Sequence, residues 1–148
     1  MKILVTVKHN GIQKLLLPAL AYLNRTSVHE IDVISANMEW VISEVLDSLN
    51  VILNPDLSIT RPNNGETIAA SMHRIGLNLH SYDLVIMAGG CSTNHLFTEY
   101  QGKMIVDTFS PFHQARTPEE YLQKRDSSKT IVIHSSPADL PEYEKNPE

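Results

Sequence analysis

The chain has one cysteine, Cys91, among its 148 residues. No intramolecular disulfide can form, and no zinc site can be built from paired thiolates. A chain without disulfides fits a reducing compartment, so a cytoplasmic location is expected. No apolar run approaches the roughly 18 residues that a transmembrane helix needs. The N-terminal run Ile3–Val7 ends at the polar Lys8-His9-Asn10, too soon for a secretory leader. Cationic charge is also scarce. Lys and Arg number 12 against 17 Asp and Glu, for a formal net charge of −5 and a pI near 5.8. That balance argues against nucleic acid or an anionic membrane as partner, since both require a basic face to neutralise phosphates. No His-x-x-x-His pair or Asp-x-Asp run offers metal-ligand spacing, and neither a metal nor another cofactor is expected. There is no Gly-x-Gly-x-x-Gly fingerprint, no P-loop, no internal repeat and no low-complexity tract.

What is present is the composition and rhythm of one globular α/β domain. Hydrophobic residues make up 42% of the chain and charged residues 20%, enough to bury a core. Short β-rich runs alternate with runs of helical period. Ile3–Val7 is almost continuously apolar, as in a strand covered on both faces. Gly11 permits a tight turn, and Leu15, Leu16, Ala19, Leu20 and Leu23 then recur at helical spacing over Ile12–Leu23. Pro18 falls inside that run and predicts a kink or a late helix start. Glu30–Ser35 reads as a second strand. Asn37 can cap a helix over Met38–Leu49, and Asp56–Thr60 reads as a short third strand. Arg61–Gly65 is a polar turn, followed by a helix over Glu66–Leu79 with Ile68, Met72, Ile75 and Leu79 on its apolar face. Asp83–Met87 and Lys103–Val106 read as strands, with a short helix between them that Ser92 or Thr93 caps. Thr117-Pro118-Glu119-Glu120 has the cap, proline and acids of a helix start. Lys129–His134 reads as the last strand. The alternation predicts a mainly parallel sheet with helices on both faces, a single Rossmann-like domain over residues 1–140 and a polar tail over 141–148.

Ligands of open α/β sheets bind beyond the carboxyl ends of the strands, which singles out three loops. Lys8-His9-Asn10-Gly11 follows the first strand and leads into a helix whose free N–H groups suit an anion; it also reads as a plain βα turn. Ala88-Gly89-Gly90-Cys91-Ser92-Thr93 combines glycines, small hydroxyls and a helix start, the ingredients of an anion or sugar nest, or equally of a turn with its N-cap. Cys91 lacks a base partner fixed by the sequence. In Asp107–His113 an acid directly after a strand and His113 could hydrogen-bond a polyhydroxy ligand or exchange protons. Phe109 and Phe112 could stack on a sugar or base, or pack the loop. His29, His73 and His80 fall on or near helices and read as surface or packing residues.

The order of these segments resembles the N-terminal domain of GT-B-fold enzymes over Met1 to about Arg125. Asn54-Pro55-Asp56-Leu57-Ser58-Ile59, the post-strand acid Asp107 and the Pro118-Glu119-Glu120 helix start are similar to segments of the UDP-N-acetylglucosamine 2-epimerases. Val106-Asp107-Thr108-Phe109-Ser110-Pro111-Phe112-His113 is similar to a segment of retaining GT-B glycosyltransferases. The arginine of the first epimerase loop has no counterpart in Lys8–Ile12, and Gly90 stands where those enzymes carry an acid. The resemblance therefore implies the glycosyltransferase branch. It implies the acceptor-binding half of a sugar-nucleotide-dependent transferase, with Asp107 and His113 as catalytic residues. Lys8, His9, Asn10, Gly11, Gly89, Gly90, Ser92, Thr93, Phe112 and Glu119 would line the cleft for a nucleotide-sugar or a sugar acceptor. It further implies a second Rossmann-like half as C-terminal domain or partner subunit, or a homo-oligomer. A stand-alone nucleotide-binding or sugar-nucleotide-binding module is the alternative.

Overall fold

The computed structural model describes residues 1–7, 10–35, 49–54, 59, 62, 64–88, 95–107 and 125–133. Six strands form one sheet: β1 (Lys2–Val7), β2 (Glu30–Ser35), β3 (Asn50–Leu53), β4 (Leu84–Ala88), β5 (Lys103–Asp107) and β6 (Thr130–Ile133). Their order is β3-β2-β1-β4-β5-β6, and every adjacent pair is parallel. The chain is therefore a Rossmann-like α/β domain, as the alternation predicts. Among the described residues the α-helices are α1 (Asn10–Thr26), α2 (Ile68–Arg74) and α3 (His95–Glu99).

The near-continuous apolar strands have two faces to bury, and each receives its own cluster. On one face Ile3, Val5, Ile31 and Val33 pack under Leu17, Leu20 and Ala21 of α1. On the other, Leu4, Ile34, Val85, Met87 and Met104 pack with Ile68 and Met72 of α2 and Leu96 and Phe97 of α3. Each fully buried Leu or Met contributes on the order of 2 kcal/mol, so alternating side chains along β1 stabilise both layers at once.

Several boundaries differ from the sequence expectation. Helix α1 runs through Pro18 without a break. Pro18 is solvent-exposed, so the carbonyl it leaves without an N–H donor one turn earlier can be hydrated. Gly11 lies in the first turn of α1 and not in a turn before it. The third strand is Asn50–Leu53, where Val51 and Ile52 pair beside Val33 and Ile34; of the expected segment Asp56–Thr60, only Ile59 lies within the described residues, in a turn. The chain leaves β3 at Asn54, whose N–H donates to the Ser35 carbonyl at 2.8 Å and whose side chain accepts from the Ile59 N–H at 3.0 Å. Strands β4 and β6 are offset by a residue from expectation: Asp83 and Lys129 stay outside them. Asp83 instead ties to the start of β1, its carboxylate accepting from the Lys2 N–H at 2.7 Å.

Helix α2 stops at Arg74 although the apolar period continues to Leu79. Gly76 adopts φ +83°. Its N–H donates to the His73 carbonyl and the Leu77 N–H to the Met72 carbonyl, both at 3.0 Å, while Leu77 and Met72 are both buried in one cluster. That is a Schellman C-cap with its hydrophobic contact. Leu79 is still buried, on a separate 3-10 turn over Leu79–Ser81, whereas Ile75 is exposed. A Cβ at Gly76 would meet nothing within 4 Å, so the cost of Gly76→Ala is conformational alone. It is expected to lower unfolding free energy by about 1 kcal/mol in urea titrations, with Gly76→Asn less affected.

The expected helices over Met38–Leu49 and after Thr117, and the tail 141–148, fall outside the described residues, except Leu49, which is buried.

Candidate functional site

The strand register aligns the carboxyl ends in one row: Leu53, Ser35, Val7, Ala88, Asp107 and Ile133 are successive partners across the sheet. From β1 the chain proceeds to β2 on one side, and from β4 it proceeds to β5 on the other. The connections therefore part above Val7 and Ala88, the position at which doubly wound sheets commonly receive ligands.

All three candidate loops spring from neighbouring positions in this row. The first leaves Val7, and α1 begins at Asn10 with only Lys8 and His9 between. So short a connection sets the free N–H groups of the first helical turn, including those of Asn10 and Gly11, close above the strand end. The second loop leaves Ala88, and α3 begins at His95, which is exposed. The third leaves Asp107, the last residue of β5 and the register partner of Ala88. Lys8, His9, Gly89, Gly90, Cys91, Ser92, Thr93, Phe109, Phe112, His113 and Glu119 lie outside the described residues. The structure thus brings together the roots of the three loops, with Asn10, Gly11 and Asp107 among the candidates.

Two polar residues that the sequence reading passed over, Glu99 and Arg125, hold α3 against its neighbours. Glu99, at the end of α3, accepts from the Ile68 N–H at 2.6 Å and the Ala69 N–H at 2.8 Å. Thr67 Oγ1 accepts from the Ala70 N–H at 3.1 Å. The N-terminus of α2 is thereby occupied by a carboxylate of the chain itself, with the sign its dipole prefers. Glu99→Ala removes two charge-assisted bonds and is expected to cost about 2 kcal/mol in thermal or denaturant unfolding, with Glu99→Gln falling between it and the parent. Thr67 is readable as a cap from the local sequence; Glu99 carries no local signal, being about 30 residues further along the chain.

Arg125 is buried and donates to the carbonyls of Phe97, Tyr100 and Gly102, to Thr130 Oγ1 at 2.7 Å and to Met104 Sδ at 3.2 Å. Its guanidinium also lies 5.6 Å from the Phe97 ring centroid. Burial draws its pKa below the ordinary arginine value, opposed by Tyr100 and Asp126. A cation there faces the carbonyl end of α3, which the helix dipole favours. No acidic residue 23 to 28 positions away is needed, because backbone oxygens do the work.

The amino ends of the strands, where Arg125 also lies, carry a polar network. Tyr82 Oη donates to Asp32 Oδ2 at 2.6 Å, Asn50 Nδ2 donates to Asp32 Oδ1 at 2.9 Å, and Tyr100 Oη donates to the Tyr82 carbonyl at 2.9 Å. Burial, reinforced by Asp32, pushes the Tyr82 phenol well above its usual pKa, and burial raises that of Tyr100. A shallow cavity of about 400 Å³ lies here, bordered by Leu84, Lys103, Lys129 and the two tyrosines. It sits at the amino ends of the strands, remote from the crevice. Among the described residues no three His, Cys, Asp or Glu side chains converge as metal ligands, and no helix is long and apolar enough to cross a membrane.

No family model, no curated protein and no solved structure matches the chain. Fold and rim define the class: an all-parallel, doubly wound α/β domain with its candidate ligand crevice at the β1/β4 divergence.

Proposed function

We propose that the chain binds a nucleotide or nucleotide-sugar at the crevice above Val7 and Ala88. The observation that carries this reading is the short passage from β1 to α1. It starts α1 only three residues beyond Val7, beside the divergence of the described connections, where the N–H groups of a first helical turn suit a phosphate. The glycines and hydroxyls of Gly89–Thr93 root at the adjacent strand end and would complete a cradle for phosphate oxygens. Thermal unfolding with UDP-sugars, other nucleotides and cyclic nucleotides tests it. A ligand at about 100 times its Kd stabilises the native state by about 2.7 kcal/mol, a rise in Tm of several degrees for a domain of this size. Gly89→Val and Lys8→Ala should reduce that rise. No shift with any nucleotide or UDP-sugar would defeat the reading.

A second reading is favoured by the position of Asp107 beside Ala88 at the rim: the acceptor-holding half of a GT-B-type glycosyltransferase. Asp107 or His113 would then contact the acceptor hydroxyl, and a C-terminal half would bring the donor. Positioning and removal of the acceptor proton are all this half has to supply. The chain alone should show no transfer and regain it with its C-terminal half, and in that assembly Asp107→Asn should lower kcat about a hundredfold or more. Robust transfer by the chain alone would exclude this second reading while leaving nucleotide binding intact.

A further inference from the structure

The chain has two Asn-Gly pairs, Asn10-Gly11 and Asn64-Gly65. In such a pair the side-chain amide is open to attack by the next backbone nitrogen, because glycine has no Cβ to shield that nitrogen. The fold treats the two pairs differently. Asn10-Gly11 lies in the first turn of α1. Asn64-Gly65 lies in the connection ahead of α2, and both of its residues are exposed.

Gly65 adopts φ +75°, and a Cβ built on it would meet nothing within 4 Å, so no neighbour crowds this residue. The Glu66 N–H donates to Asn64 Oδ1 at 3.1 Å. That Asx turn closes a ring running from Oδ1 through Cγ and the Gly65 peptide to the Glu66 nitrogen. It folds the side-chain carbonyl back across the Gly65 nitrogen, which brings the nucleophile and the carbon it attacks to one side of a single peptide. Neither the Gly65 N–H nor Asn64 Nδ2 makes a hydrogen bond among the described residues, so no described contact has to break for the nitrogen to attack or the amide to leave. As the new bond forms, negative charge develops on Oδ1, and the Glu66 N–H is already aimed at it.

We propose that Asn64 is a modification site, deamidating spontaneously through a succinimide. The Gly65 nitrogen attacks Asn64 Cγ. The N–Cγ bond forms, the Cγ–Nδ2 bond breaks, and Nδ2 departs as ammonia carrying the Gly65 proton. Water then opens the ring at either carbonyl, restores the Gly65 N–H and leaves aspartate or isoaspartate. Both products add a negative charge, and isoaspartate also adds a carbon to the backbone. The change falls two residues before Glu66, whose carboxylate accepts from Ser71 Oγ and from Arg74, so it meets the polar contacts that open α2. At Asn10 the same ring can close only when the residue gives up its helical ψ, so the start of α1 must first fray.

The experiment is peptide mapping by mass spectrometry of the full chain after incubation at mildly alkaline pH, with isoaspartate read out by its enzymatic carboxyl methylation. The Asn64 peptide should convert at least about fivefold faster than the Asn10 peptide, with isoaspartate as the major product. In urea, where both pairs share an open backbone, the two rates should converge. Asn64→Gln should stop conversion at this position, since the longer side chain closes its ring far more slowly. Gly65→Ala should slow it at least about tenfold. Thermal melts confirm that each variant is folded. An Asn64 peptide that stays intact in the native chain while it converts in urea would overturn the proposal. So would a native rate ratio no greater than the ratio in urea, a Gly65→Ala chain that converts as fast as the parent, or aspartate formed without isoaspartate.

Discussion

Arg125→Ala is expected to destabilise the domain by about 3–5 kcal/mol, a large part of the 5–15 kcal/mol typical of a folded domain. The wild-type guanidinium satisfies the carbonyls of Phe97, Tyr100 and Gly102 together with Thr130 Oγ1. Truncation strands those oxygens. An unpaired buried acceptor costs about 1–3 kcal/mol before any rehydration, and the guanidinium over the Phe97 ring is lost as well. For a chain of this length the Tm should fall by roughly 10 °C. Arg125→Met separates the contributions: it keeps the stem and removes the donors. Arg125→Lys should recover little, because a single ammonium cannot serve acceptors spread over α3, the turn at Gly102 and β6. An alanine variant melting within about 2 °C of wild type would show that water reaches these carbonyls and that the clamp is dispensable.

Phe97→Ala should cost a comparable amount, about 3–5 kcal/mol, and its effect should be local as well as global. Helix α3 has five residues, too few to hold by hydrogen bonding alone. It stays in place through buried Leu96 and Phe97 and through the Arg125 clamp at its carbonyl end. Removing the ring should raise amide hydrogen exchange over residues 95–101 more than over β1 or β2. Because α3 directly follows the Gly89–Thr93 loop, ligand-induced stabilisation should shrink with it. Arg125 and Phe97 touch, so their substitutions should be non-additive by about 0.5–3 kcal/mol in a double-mutant cycle. Strict additivity would mean that the two residues stabilise α3 independently.

The parts of the fold that were legible in the sequence are those set by local patterning. The apolar runs of β1 and β2 and the turn residues around them define those strands closely, and Glu30–Ser35 matches to the residue. Sequence and structure part where two local signals compete. Leu79 continues the period of α2, but Gly76 ends the helix by taking a left-handed conformation that side-chain period does not encode. Asn50–Leu53 follows a helix-like run with no glycine or proline between, so local pattern points to a third strand beyond Pro55. For the candidate site, the three loops could be placed at strand ends, and the sheet order brings their roots side by side. Glu99 and Arg125 could not be read, since their partners are backbone groups 23 to 31 residues away. A backbone donor or acceptor has no identity in a sequence, and only the fold determines which side chain reaches it.

The central position of β1 also governs the order in which the domain can form. No two strands of an all-parallel sheet can pair through a hairpin, so each contact waits for a crossover. Strand β1 meets β2 from Lys2 with Glu30, but its other edge stays open until Leu84–Ala88 arrive. On the ribosome, Ile3–Val7 must therefore stay partnered by β2 on one side only while about fifty further residues, from Ser35 to Leu84, are made. Pairing over such separations is slow and leaves an apolar edge available to other chains. Refolding yield should accordingly depend on protein concentration, and a fragment ending before Leu84 should aggregate where the full chain does not.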